Sequence, residues 1–368
     1  MHEKVNLTKA NIVTIYDPIP NYGNRLQNYA VQNVLENLGL QVSTLSFEKP
    51  IFTGKKKLKA IAQKLSNYTL PGDKGYWKYF YAKVQIFERF NRDFIKAQRI
   101  KSISQIHPAD YYVLGSDQVW NTAWYREGDM KKDLFLLTFA QPEQKVCFAP
   151  SFGTDTLPSE WIEWFQKYLK IIPNLSVREE AGQDIINKLT GRDATVLIDP
   201  TLMLNADDWT NIAKMPKKID TSCPYILTYF LGKCPDRLGA DIKAISEQDC
   251  VRVYNLMDRN QPEVYVSGPS EFVYLVSHAK IVLTDSFHAC AFSFLFGKPF
   301  LVYAREGDGD NMISRINTLL KTFHLERKYV GKCLPSDLLE CNYQIGYEAL
   351  NQERLKALVF LKSAMNLE

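Results

Sequence analysis

Short apolar runs and longer amphipathic stretches alternate along this chain, and the alternation predicts its elements. Residues 11–16, 42–47, 111–114, 145–149, 175–177 and 195–198 form brief runs rich in apolar and β-branched residues, the pattern of buried strands. Residues 25–38 carry Leu26, Tyr29, Ala30, Val34 and Leu38 at helical spacing, and Gly39 follows where a C-cap glycine belongs. Residues 76–98, 161–172 and 180–189 read as further helices. A strand–helix–strand rhythm of this kind implies a parallel sheet. Between 204 and 221 the pattern breaks into polar residues around Pro216, which reads as a linker. The rhythm then resumes, with strands at 225–231, 251–256, 280–284 and 300–302 and helices at 237–247, 271–278 and 288–296. Near the end, Leu350, Leu355, Leu358 and Leu361 predict a closing helix over 347–365. The expected architecture is α/β, with two Rossmann-like domains facing across a cleft. The first spans 1–204 with a basic and aromatic insertion at about 50–100, and the second spans 205–345. A C-terminal helix within 346–368 packs back on the cleft or on the first domain. Ligands of such sheets bind beyond the carboxyl ends of the strands.

Composition narrows the class. A chain of 368 residues that is 46% hydrophobic and 23% charged can bury a large core without disulfides or a metal. Its seven cysteines are scattered with no Cys-x-x-Cys pair, so neither a zinc site nor a redox pair is expected, and a reducing cytoplasm suits them. The first residues, Met1-His2-Glu3-Lys4-Val5, are polar, and no apolar run approaches the roughly 20 residues of a membrane helix. A net charge of +4 is too small to argue for nucleic acid. Its distribution says more. From Lys55 to Lys83 the only acid is Asp73, and Tyr68, Tyr76, Trp77, Tyr79, Phe80 and Tyr81 crowd the same stretch. This is either a solvated basic loop leading into an amphipathic helix, or a patch resting on anionic lipid head groups at the inner face of the membrane.

If the strand ends line a site, their turns should hold polar groups. Asn21-Tyr22-Gly23-Asn24 precedes a helix, so its backbone amides suit an anion, unless Asn24 simply caps that helix. Gly115-Ser116-Asp117-Gln118-Val119-Trp120-Asn121 places an acid, amides and an aromatic in one loop. There Asp117 can accept or deprotonate a sugar hydroxyl and Trp120 can stack on its ring, or Asp117 caps the next helix and Trp120 is core. Arg178, directly after a strand, points into the cleft toward a carboxylate or phosphate, or pairs with Glu179 or another acid. Asp199-Pro200-Thr201 reads as a turn or cap. Thr284-Asp285-Ser286-Phe287-His288 joins a buried strand to a helix, and His288 can move a proton near neutral pH. Its Ser, Asp and His stand too close along the chain for a hydrolase triad. Arg305, Asn311, Ser314 and Arg315 follow the last strand as a second polar group.

The ordered set Asn21-Tyr22-Gly23-Asn24-x-Leu26-Gln27, Gly115 to Asn121, Ser176-Val177-Arg178-Glu179, Asp199-Pro200-Thr201 and Thr284 to His288 resembles the polysaccharide pyruvyl transferase family, over about Asn11 to Tyr303. The resemblance implies a GT-B-like fold, phosphoenolpyruvate as co-substrate with no other cofactor, and a glycan or lipid-linked sugar of a capsule or exopolysaccharide as acceptor. It also implies that His288 and Asp117 are catalytic. It assigns donor binding to Arg178, with Asn21, Gly23, Asn24, Ser286, Arg305 and Arg315 around it. Ser116, Gln118, Trp120 and Asn121 then face the acceptor. Several members carry Arg-Leu-His where this chain has Ser286-Phe287-His288, so Arg305 or Arg315 is expected to supply the missing charge. A nucleotide-sugar glycosyltransferase of the same fold and a non-catalytic glycan-assembly protein are the alternatives.

Overall fold

The computed structural model describes residues 7–16, 19–46, 74–125, 130–246, 251–305, 313–333 and 338–368. Most of the basic loop expected from Lys55 onward lies outside these residues, as does Asn311.

Five parallel strands build the first sheet: β1 (Lys9–Val13), β2 (Gln41–Ser46), β3 (Ala97–Arg99), β4 (Tyr111–Leu114) and β5 (Lys145–Cys147), in the order β3-β2-β1-β4-β5. Strand β1 buries four of its five residues, which is why it reads as a continuous apolar run rather than an alternating one. A short parallel pair follows, β6 (Ser176–Val177) and β7 (Thr195–Val196). The second sheet holds β8 (Tyr225–Tyr229), β9 (Arg252–Asn255), β10 (Ile281–Thr284) and β11 (Phe300–Val302), in the order β11-β10-β8-β9, again all parallel. The two Rossmann-like sheets carry helices between their strands, the expected GT-B-like arrangement. In each sheet the strand order reverses once, between β1 and β4 and between β8 and β10. Ligand crevices open at such reversals.

Helices carry the chain between strands: α1 (Tyr22–Asn37), α2 (Lys74–Phe94), α3 (Ile162–Leu169), α4 (Glu180–Thr190), α5 (Leu238–Ser246), α6 (Pro269–His278), α7 (Phe287–Leu295), α8 (Ser314–Thr322) and α9 (Gln344–Ala364). Helix α1 begins three residues before the point its apolar spacing predicts. Asn21 is extended and its side chain accepts from the Asn24 amide at 3.1 Å, so Asn21 and not Asn24 is the cap. Helix α2 stops at Phe94, and the missed edge strand β3 follows at once, because Ala-Gln-Arg carries no apolar signal. In the 204–221 stretch, Asn205 and Asp208 form a capping box that starts a short helix at Ala206–Thr210.

Helix α9 packs back on the first domain. Leu350, Ala357 and Leu361 are buried, Arg354 donates to the carbonyls of Leu202 and Leu204 at 2.7 Å each, and the Tyr111 hydroxyl donates to the Met365 carbonyl at 2.5 Å. At the other face, Tyr22 of α1 stacks on Phe272 of α6 at 4.7 Å and packs edge-on against Tyr229. One aromatic layer thus joins both sheets beside the reversal points.

Candidate active site

A cavity of about 320 Å³ opens where the two sets of strand ends meet. Ile15 and Tyr16 reach it after β1, Asp117 and Gln118 after β4, Tyr229 and Leu231 at the end of β8, Ser286 to His288 after β10, and Arg305 after β11. Asn21, Gly23 and Asn24 bring the N-terminus of α1 to the same wall, facing the N-terminus of α7. Two helix N-termini therefore converge on one space, each with a partial positive charge. Arg305 and Arg315 add full charges. The chemistry of that wall favours an anion.

His288 sits in the first turn of α7, buried among these groups. Its ring is fixed from two sides. A Cβ on Gly23 would overlap Nδ1 and Cε1 and stand 2.8 Å from Cγ, so only glycine lets α1 come this close. The opposite nitrogen, Nε2, lies 3.7 Å from Asp199 Oδ2, too long for a hydrogen bond but within ion-pair reach of an imidazolium.

Asp199 is the hub that the Asp-Pro-Thr motif concealed. Its Oδ1 does what a cap does, accepting from the Thr201 amide at 3.0 Å and hydroxyl at 2.8 Å. Its Oδ2 turns the other way and accepts from Arg178 Nη1 at 2.5 Å and from Ser116 Oγ at 2.9 Å. Burial pushes this carboxyl up, but His288, Arg178 and the Thr201 amide outweigh burial and hold it well below the usual carboxylate range. It is an anion whenever the protein is folded near neutral pH.

Arg178 stands differently from expectation. Its side chain is 1% exposed and lies beneath the Phe287 ring, 4.7 Å from the centroid. It backs a hollow of about 30 Å³ behind the main cavity and does not line the cavity itself. Burial opposes its charge, but Asp199, Asp117 and Glu179 overcome it and raise its affinity for the proton. Of the two sequence readings, the ion pair is the one seen, with Asp199 and not Glu179 as the close partner; Glu179 lies 4.0 Å away. Glu179 instead holds the turn at 151–153, accepting from Ser151 Oγ and the Phe152 amide.

The β4 loop also divides in a way its sequence hid. Asp117 takes φ +75°, a left-handed conformation that an aspartate tolerates better than most residues. Its carbonyl accepts from the amides of Val119 and Ser151, and its carboxylate faces the cavity 3.7 Å from Arg178 Nη2. Gln118 lines the cavity beside it. Trp120 does not: it is fully buried, donates to the Phe135 carbonyl at 2.8 Å and packs on Phe152, so it offers no face to a sugar. Ser116 is likewise buried and serves Asp199. Asn121 braces the loop, capping the turn at Thr122–Trp124 and donating to Gln118 Oε1, and is not on the cavity wall. The aromatic at the mouth is Trp124, 53% exposed, whose indole nitrogen donates to Gln118 at 3.3 Å.

Residues 21–307 match the family model described as polysaccharide pyruvyl transferase. The chain belongs to the polysaccharide pyruvyl transferase family. A comparison with curated proteins finds no match. Among solved structures, this pyruvyl transferase family member is similar to UDP-GlcNAc 2-epimerase from Neisseria meningitidis, with a TM-score of 0.44 and 12% identity over 96% of this chain and 100% of that one. It is also similar to the N-terminal domain of trehalose-6-phosphate phosphatase from Candida albicans, with a TM-score of 0.42 and 10% identity over 97% and 92%. T4 phage BGT in complex with UDP and Mn2+ gives 0.38 and 9% over 98% and 100%. Scores and identities this low transfer no ligand to the pyruvyl transferase.

In this family member Ser286 caps no backbone group with its side chain, and its amide donates to Thr284 Oγ1. The neighbouring cation is Arg305, anchored by Nε to Asp285 Oδ2 at 3.1 Å. Asp285 in turn accepts from the amides of Leu231 and Gly232, which locks the ends of β8, β10 and β11 into one frame. Arg315 completes the wall; burial and then the Arg178 charge lower its pKa to about 10.

Proposed function

We propose that this transferase moves the enolpyruvyl unit of phosphoenolpyruvate onto two hydroxyls of a sugar in a surface polysaccharide or its lipid-linked precursor, forming a pyruvate ketal. One observation carries the reading: two helix N-termini, two arginines and a His–Asp pair converge on a single cavity at both strand-order reversals. Phosphoenolpyruvate brings a carboxylate and a phosphate, and such a ligand needs several amide and cationic donors in a water-poor space. Arg305, Arg315 and the first turns of α1 and α7 are the groups for it. Arg178 acts from behind, as a positioning residue for Asp199 and Asp117.

The reaction then runs without loose ends. His288 gives its proton to the methylene carbon, leaving an oxocarbenium-like centre at the adjacent carbon. A first sugar hydroxyl attacks that centre and yields its proton to Asp117. The second hydroxyl attacks, the phosphate leaves with that hydroxyl's proton, and the ketal closes. Nδ1 is the nitrogen assigned to the donor, since Nε2 is turned to Asp199 and the ring is held in that orientation against Gly23, whose missing side chain leaves room for it. Asp199 stabilises the imidazolium before transfer. Trp124 presents the exposed aromatic face for the acceptor ring.

The test is incubation of the purified protein with phosphoenolpyruvate and a lipid-linked acceptor. Phosphate release together with an acceptor heavier by one pyruvate ketal is expected, and Trp124→Ala should raise the KM for acceptor while leaving that for phosphoenolpyruvate. Release of nucleotide from a sugar nucleotide, with none of phosphate, would make the chain a glycosyltransferase instead. Gly23→Ala is expected to fold and to lose roughly 10²-fold or more in kcat, because the new methyl overlaps the imidazole and pushes the His288 ring out of its place beside Asp199. Wild-type turnover in that variant would mean that the reaction does not need the ring where Gly23 holds it.

A further inference from the structure

A second and larger cavity, about 910 Å³, lies between α2, the loop 214–218 and the segment leading into α6. Its walls are apolar, with Ile86, Phe90, Phe94, Pro216, Val266 and Pro269 among them. Its rim is basic: Lys78 and Arg89 on one side, Lys214, Lys217 and Lys218 on the other. Three acids also face it, but two are already engaged. Asp93 lies 3.4 Å from Arg92, and Glu271 accepts from the Gly268 amide at 3.1 Å, leaving Glu263 as the third. Between the lysines, Met215 stands 59% exposed, while its neighbour Pro216 is buried and fixes the loop. A large thioether held in solvent among three lysines gains nothing in water; at a bilayer surface it and the lysines are both satisfied.

We propose that this face seats the protein on a bilayer containing anionic phospholipid, with Met215 entering the acyl boundary, the rim lysines on the head groups and the apolar hollow accepting lipid chain. Charge complementarity and the placement of Met215 argue for this occupant. Among the described residues no helix is long and apolar enough to cross a membrane, so the attachment is to its surface. The seating is independent of the reading given to the catalytic cavity. One side chain nevertheless links the two places. Tyr22, between the cavity residues Asn21 and Gly23, donates its hydroxyl to the carbonyl of Ser267 in the wall of the second cavity.

The experiment is co-sedimentation of the full chain with vesicles of phosphatidylcholine alone or mixed with phosphatidylglycerol. The wild type should bind the mixed vesicles only, and less as salt is raised. Lys217→Glu with Lys218→Glu should weaken binding by roughly 30-fold or more, and Met215→Ser by about 10-fold. These variants should keep the wild-type circular dichroism spectrum and the wild-type rate with a water-soluble acceptor, so a failure of catalysis and a failure of seating read separately. Three results would overturn the proposal: no binding by the wild type; an unchanged affinity in Met215→Ser; or a loss confined to neutralisation of Lys55, Lys56, Lys57 and Lys59, which would place the contact elsewhere in the chain.

Discussion

Asp199→Asn is expected to lower turnover by roughly 10²–10⁴-fold and to destabilise the fold by about 3–5 kcal/mol. The carboxylate accepts four hydrogen bonds with two oxygens, two from Thr201 and one each from Arg178 and Ser116. An asparagine has one acceptor oxygen and one donor group. If the oxygen faces Arg178, the amide hydrogens confront the Thr201 amide; if it faces Thr201, they confront the guanidinium. Either orientation leaves a buried donor against a donor. The substitution also removes the charge that neutralises Arg178 and that holds a protonated His288. The stability contribution has a sign in pH. The Asp199 carboxyl is held below its unfolded value, so its contribution is complete above the ordinary carboxylate range and is lost as pH falls toward the folded value. His288→Gln separates the two effects, since it should lose turnover and keep most of the stability. Turnover by Asp199→Asn at the wild-type rate, at any stability, would dismiss the pair as a catalytic unit.

The prominence of Asp199 marks where sequence stops being informative. The sheets are readable chiefly through inner strands such as β8 and β10, which are buried throughout and announce themselves as apolar runs; edge strand β3 buries no residue and gives no such signal. The strand-end turns were readable as a site because a polar cluster after a buried strand has few other uses. Which side chain of a cluster reaches the cavity was not readable. Trp120 and Trp124 lie four residues apart in one loop, and packing on Phe152 rather than any local pattern sends the first inward. Asp-Pro-Thr reads as a cap from either direction, and half of that carboxylate is a cap; its other oxygen serves a serine 83 residues away in the chain. The same oxygen takes the buried Arg178 guanidinium, a pairing across 21 residues that no local pattern marks. Gly23 was noticed as a turn residue, but its purpose, to admit the His288 ring, is a contact between the two halves of the fold.

Lys83→Met is expected to flatten the pH dependence of stability. Lys83 lies in α2, buried at the aromatic layer that joins the two sheets. Its amine is 4.4 Å from the Tyr265 ring centroid, 5.0 Å from that of Tyr22 and 3.4 Å from the Leu256 carbonyl. Burial lowers its pKa from 10.5 to about 7. Two rings and one long contact to a carbonyl do not replace the hydration of an ammonium. Between the folded and unfolded values the unfolded chain binds the extra proton, so stability rises with pH across that window and is flat below it. From pH 7 to about 9.5 the wild type should gain roughly 3 kcal/mol relative to Lys83→Met, at 1.36 kcal/mol per pKa unit. Denaturant unfolding of both proteins at several pH values measures it. A constant difference would mean that the amine keeps an ordinary pKa in the folded protein, and a difference that shrinks as pH rises would mean that the rings hold the cation more tightly than water does. The position matters for the site as well as for stability. Tyr22 opens the helix whose second residue is Gly23, so a charge forced into this layer strains the same turn that holds the His288 ring in place. Turnover and stability should therefore weaken together as the wild type is taken from about pH 9.5 down to pH 7, and Lys83→Met should uncouple them.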